Sequence, residues 1–360
     1  MSLRHGAAWV VLAGLCAGRG QCDTGCPGLP ARDRRDIPAL ARTGLEFSHT
    51  KHYKEAADCY RKALSIEPKL RDLQLNLGLA EFKLGHFQAA LGPLGVTAGL
   101  DPENVQARTL LGMSYYGAGQ YAKAIPELAY ALAADQRNAQ LHYVIAQSCL
   151  WSGQYDRALV EFTWLLREQP GSAVTHMLMG EALDGLGRED DAIAELQAAA
   201  VASPTEPEAH FGLGYLFWKE KRYDEAEREF RLELDKDPSH AQAAAYLGDV
   251  LMRRGDQAAA EPLLEKARRL NPQVRIAHLD LGIVYAGRKQ NDRAMRELRE
   301  AVKLDPSRAD AHYRLARVYQ SLGRAAEAEA ELATVKQLHE DRLEDMLHKV
   351  SGRPPSLDVP

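Results

Sequence analysis

The sequence predicts an all-α solenoid, and three residue columns recurring every 34 positions predict it. Steps of 34 from Ala226 land on Ala56, Ala90, Ala124, Ala158, Ala192, Ala260, Ala294 and Ala328. The same steps from Pro238 give Pro68, Pro102, Pro170, Pro204, Pro272 and Pro306, with Gln136 the only internal departure. From Gly214 come Gly44, Gly78, Gly112, Gly180, Gly248 and Gly282, with Ala146 and Ala316 as small replacements. Three columns in one phase, without an insertion, define nine tandem units over 37–342, each a helix, a turn and a helix.

The stretch Pro207 to His240 shows what one unit contains. Its first helix carries Phe211, Leu213, Gly214 and Phe217; Lys219 to Lys221 turn the chain; its second helix carries Tyr223, Ala226, Phe230 and Leu234. Pro238 stops that helix, because its ring blocks a further turn and drives the preceding residue out of the helical region. A pair this short cannot bury both apolar faces alone, so it stacks on copies of itself. Gly214 and Ala226 are small where the two helices cross, and Phe217 and Phe230 fill the gap to the next unit.

With the first residue of each unit as slot one, the period and the small, large and proline slots resemble those of the tetratricopeptide repeat (TPR) family. The likeness covers about 85% of the chain, nine units of 34 in 360 residues. It implies a right-handed α-solenoid whose first helices line a concave groove. It is specific for fold and nearly silent on function. Slot four departs mildly: tryptophan is absent, and His142, His176, His210, His278 and His312 occupy it.

Residues 1–20 combine Arg4 with the apolar run GAAWVVLAGLCAG. That run is short of the roughly 20 apolar residues a membrane span needs. It reads as a secretory signal peptide, cut after Gly18 or Gly20. The other readings are a cytosolic extension from a misassigned start codon, or a lipoprotein signal at Cys16, to which Leu15 is poorly suited. Residues 21–36 form a linker in which Cys22 and Cys26 either pair, as an oxidising compartment permits, or stay free. Cys59 and Cys149 lie on helices, Cys149 in the slot of Phe217 and expected in the core. In the last unit Glu340 replaces the stop proline, so the final helix runs on over 343–350 as a polar cap before a tail, 351–360, expected to be disordered.

Charge is uneven. Arg71 to Pro204 holds 8 basic against 15 acidic residues, whereas Thr205 to Arg342 holds 24 against 25, so the first stretch is the acidic one. The whole chain is at −5 with no basic stripe, which argues against nucleic acid. The Glu and Arg of the second stretch read as a solvated face with pairs one turn apart. No phosphate loop, GxSxG, HExxH or pair of carboxylates outside the repeat pattern is present, so no catalytic residue and no cofactor is expected. The histidine column invites a metal. Packed helices sit about 8–10 Å apart, however, and zinc takes nitrogen at about 2.1 Å, so equivalent slots in adjacent units diverge. Packing and hydrogen bonding are the expected roles, and no metal site is expected.

The working surface implied by the resemblance is the inner wall, at slots two, five, nine, twelve and thirteen. In the middle units these hold Tyr116, Tyr143, Gln147, Trp151, Met177, Glu181, Phe211, Tyr215 and Trp218. Tyr116, Tyr143, Gln147, Trp151, Phe211, Tyr215 and Trp218 are the candidate partner-binding residues, since Tyr and Trp dominate binding surfaces. The plainer reading is that some of them cover the next helix. Two specialised modes do not fit. A clamp for a chaperone's terminal carboxylate needs Lys and Asn where Ala41, Leu45, Leu75, Leu79, Thr109 and Met113 stand, and an asparagine ladder finds only Asn76. The expected function is a non-enzymatic scaffold that binds a protein or peptide in the groove, for complex assembly in the cell envelope. The alternative is a regulatory or targeting subunit of an enzyme system such as a glycosyltransferase or protease. Homo-oligomerisation is left open.

Overall fold

The computed structural model describes residues 26, 32–204 and 206–351. The signal-peptide reading, Cys22 and most of the expected tail lie outside the described residues. Among the described residues there are eighteen α-helices, a short 3₁₀ turn at Arg34–Asp36 and no strand. The helices pair as α1 Ile37–His49 with α2 Tyr53–Ile66, α3 Arg71–Lys83 with α4 Phe87–Leu100, and α5 Val105–Gly117 with α6 Tyr121–Ala134. There follow α7 Ala139–Trp151 with α8 Tyr155–Glu168, α9 Ala173–Gly185 with α10 Glu189–Ala202, and α11 Ala209–Lys219 with α12 Tyr223–Lys236. The last three pairs are α13 Ala241–Arg253 with α14 Gln257–Leu270, α15 Arg275–Gly287 with α16 Asn291–Leu304, and α17 Ala309–Ser321 with α18 Ala325–Ser351. Nine helix–turn–helix units thus form an all-α solenoid. It divides into two compact bodies, Met1–Ser148 and Cys149–Pro360.

Slot fifteen makes the turn in every unit. Its residue has positive φ nine times: glycine at 85, 119, 153, 187, 255 and 323, and Lys51, Lys221 and Lys289 in the others. The next residue's N–H then reaches back five positions, as from His86 to Glu81 and from Arg222 to Phe217, which satisfies carbonyls that the ended helix leaves open. Lysine in this conformation costs about 1–2 kcal/mol relative to glycine, so three units tolerate a small strain to keep the turn.

Within each unit the small slots let the helices meet. A Cβ on Gly214 would fall 2.6 Å from the Phe230 ring, one on Gly78 2.5 Å from Leu94, and one on Gly282 2.5 Å from Leu298. Slot eight therefore receives slot twenty-four of the same unit. Phe230 was expected to fill the gap between units. It fills the crossing within its own unit and also stacks on Tyr246 of the next, with ring centroids 5.8 Å apart. Ala226 and its equivalents are buried, every one at 2% exposure or less.

The slot-four histidines are stitches. His176, His278 and His312 place Nδ1 2.6–2.7 Å from Glu195, Glu297 and Glu331, and Nε2 3.0–3.1 Å from the carbonyls of Pro170, Pro272 and Pro306. His210 faces Glu229 at 2.7 Å, and His142 bonds the Gln136 carbonyl at 3.1 Å. Arg108 makes the same pair of bonds in its unit, to Pro102 and Glu127. In the units of Arg108, His176, His278 and His312, slot four thus ties the turn before the unit to that unit's second helix.

One expectation is corrected near the start of the chain. Cys26 is bonded to Cys59, not to Cys22, across a separation of 33 residues with Cα atoms 4.9 Å apart. Both cysteines are buried, and Lys62 donates to the Cys26 carbonyl at 2.9 Å. Asp33 to Asp36, within the expected linker, form a capped 3₁₀ turn. Cys149 is free and fully buried, and burial pushes its thiol pKa up to about 11. At the other end, α18 runs through the expected extension. It is not polar throughout, since Leu343, Met346 and Leu347 are each 57–59% exposed.

Candidate partner-binding site

The expected wall residues fall in both bodies. In the first, Tyr116 on α5 and Tyr143 and Gln147 on α7 form one chain: the Tyr116 hydroxyl donates to Gln147 Oε1 at 2.5 Å, and Gln147 Nε2 donates to the Tyr143 hydroxyl at 3.0 Å. Gln147 is 4% exposed and so acts as a buried link between two half-buried tyrosines, not as a surface contact. Burial raises the pKa of both phenols, which remain neutral donors.

In the second body Trp151, Met177 and Glu181 are half-buried on the first helices of their units. The densest cluster is on α11. Tyr215 and Trp218 stack with centroids 5.9 Å apart and planes inclined 24°. Tyr246 on α13 stands edge-on to both, at 5.6 and 5.0 Å. Phe211 was expected on the wall and lies in the core. It is 2% exposed, packed on Phe230 at 6.0 Å and on the His240 ring at 4.8 Å. The cause is local. Glu208 takes positive φ, so α11 starts later than the other first helices, and the buried Glu233 carboxylate accepts the N–H groups of Glu208 and Phe211. Burial opposes charge on His240, and the carboxylates of Glu208, Glu233 and Asp237 outweigh it, so its pKa is raised.

Asp249 holds the Trp218 indole. Its Oδ2 accepts from Trp218 Nε1 at 2.5 Å and from Arg253 Nε at 2.5 Å, and the Arg253 guanidinium lies 5.6 Å from the Trp218 ring centre. Tyr246 and Asp249 were missed, and a spacing of 31 would have found them; Arg253 stands one turn after Asp249 on the same helix. Tyr116–Gln147, Tyr215–Tyr246 and Trp218–Asp249 are each 31 apart, one period less one helical turn. Residues at that spacing meet across neighbouring first helices.

Profiles described as Tetratricopeptide repeat match residues 37–70 and, in overlapping stretches, 115–347. The chain is a tetratricopeptide repeat protein. A solved tetratricopeptide repeat protein from Parabacteroides merdae is 18% identical, with a TM-score of 0.55 over 69% of this chain and 98% of that one. YrrB, described as a TPR protein with an unusual peptide-binding site, is 22% identical at a TM-score of 0.40, covering 52% and 97%. Pseudomonas aeruginosa pilF is 20% identical at 0.44, covering 56% and 92%. Similarity at these identities shows the fold alone. No curated protein matches the chain. As a tetratricopeptide repeat array it belongs to a class of protein-interaction scaffolds. Among the described residues no cluster of three or more potential metal ligands occurs, and no helix is long and apolar enough to cross a membrane.

Proposed function

We propose that this tetratricopeptide repeat protein is a non-enzymatic scaffold that holds an extended or helical segment of a partner protein against its first helices. The observation that carries the reading is the Tyr215–Trp218 stack, half-buried and backed by Tyr246, with its indole fixed by Asp249. A rigid aromatic pair of this kind supplies contact area at little entropic cost, which suits a binding anchor. The test is Trp151→Ala combined with Trp218→Ala, against the partner recovered with the native chain and identified by mass spectrometry. Removing a buried interface anchor costs about 2 kcal/mol or more, roughly thirtyfold in affinity. The binding reading expects that loss with the thermal transition little moved. Retained affinity, or early unfolding with no separate binding defect, would move attention to the acidic stretch Arg71 to Pro204. An enzyme as the recovered partner would favour the regulatory-subunit alternative.

We also infer that the protein is exported, to the periplasm or outside the cell, where it assembles a complex. The buried Cys26–Cys59 bond supports this, because disulfides persist in oxidising compartments. N-terminal sequencing of protein from its native host is expected to begin at Arg19 or Gln21. Met1 or Ser2 intact in the cytoplasm would refute export.

A further inference from the structure

A cavity of about 320 Å³ opens between α8 and the fifth unit's pair, α9 and α10. Leu159, Met179, Leu183 and Ala194 line it, and Arg188 and Asp191 border it with side chains 53% and 55% exposed. None of these residues belongs to the tyrosine–tryptophan wall. Its other polar neighbours are engaged: the Thr163 hydroxyl donates to the Leu159 carbonyl at 2.7 Å, and Glu195 lies 2.7 Å from His176. What remains for an occupant is an apolar bed beside one cation, the chemistry that takes an aromatic ring.

Other units hold a ring of their own in these slots. Leu183 stands in slot eleven and Arg188 in slot sixteen. The sixth unit has Phe217 and Arg222 there, with the guanidinium carbon 4.4 Å from the ring centre; the ninth has Tyr319 and Arg324, at 4.8 Å. An acid in slot nineteen holds each arginine: Glu225 lies 3.0 Å from Arg222, and Glu327 lies 2.9 Å from Arg324 Nε. In the third and eighth units a cation in slot nineteen takes the arginine's part, Lys123 over Tyr115 at 5.9 Å and Arg293 over Tyr285 at 3.8 Å. The fifth unit keeps the held arginine, with Asp191 Oδ2 2.7 Å from Arg188 Nη2, but carries leucine where the ring would be. Asp191 takes the edge of the planar guanidinium, which leaves its face for a ring.

We propose that this cavity is a docking site for an aromatic side chain of a partner protein, seated on Leu183 with its face against the Arg188 guanidinium. The partner supplies from outside the ring that Phe217 and Tyr319 supply from within the chain. The cavity is at the small end of ligand-binding cavities, which suits one phenyl or phenol group and not a large cofactor. A protein as the source of the ring rests on the scaffold reading above. The ring site itself does not, and it is separate from the groove.

The test titrates the full chain with N-acetyl-para-fluorophenylalanine amide and, separately, para-fluorotoluene, each followed by fluorine NMR. Both are expected to show a saturable shift with the wild type. Leu183→Phe places the chain's own ring under Arg188 and is expected to abolish that shift while melting at or above the wild-type midpoint. Arg188→Met keeps the stem without the charge and is expected to weaken the amide roughly two- to fivefold. Its melting should barely move, since the Arg188–Asp191 pair is solvated. Trp151→Ala with Trp218→Ala is expected to leave the shift in place, which separates this cavity from the groove; its loss there would overturn the proposal. So would no saturable shift in the wild type, or one that survives L183F. Binding of fluorotoluene without the amide would mean that the cavity admits only a free small aromatic, and would overturn the partner side chain as occupant. Should L183F fail to fold, Arg188→Met decides: unchanged affinity for the amide overturns the proposal.

Discussion

Phe230→Ala is expected to destabilise the second body by about 3–5 kcal/mol, the cost of emptying a large buried aromatic site. Phe230 is fully buried. Its ring lies over Gly214, touches Phe211 at 6.0 Å and stacks on Tyr246 at 5.8 Å, so one side chain fills the crossing within a unit and part of the next interface. The site can relax little. Gly214 has no side chain to swing into the void, and the backbones there already approach closely. Because units contact only their neighbours, the loss should spread from α11–α13 and not be felt uniformly along the array. Urea unfolding followed by tryptophan emission measures it. A midpoint within error of wild type would mean that slot twenty-four is not the shared anchor.

That prediction rests on features legible in the sequence. The glycine and alanine columns mark where backbones approach, and a period of 34 fixes which residues face each other within a unit. The fold could be read because every unit repeats the same steric requirement. The site was harder. Gln147 and Phe211 sit in slots that face a groove in an average unit, but a slot average cannot see that Glu233 captures the start of α11 or that Gln147 bridges two tyrosines. Asp249 was hidden because its contact with Trp218 runs at 31, not 34. The Cys26 partner was hidden for another reason. Residues 21–36 precede the repeat, so no phase says where they return, and Cys22 was the one partner considered for Cys26.

Breaking the Cys26–Cys59 bond is expected to cost about 3–4 kcal/mol, from the entropy a loop of this length regains in the unfolded chain. The loss should be confined to the first unit. The bond fastens residue 26 onto α2, and Cys26, at 1% exposure, packs in one cluster with Leu40, Tyr60 and Leu77. Beside it, Lys62 donates to the Cys26 carbonyl and Arg34 pairs with Glu67. The start of the array would then lose its cover, and an uncovered terminal repeat frays first. Cys59→Ser and chemical reduction of the wild type should give the same shift, since both leave Cys149 untouched and buried. Hydrogen exchange should show α1 and α2 opening early while the second body keeps its protection. A non-reducing peptide map yielding a Cys22–Cys26 linkage, or C59S melting with wild type, would show that this bond does not hold the first unit.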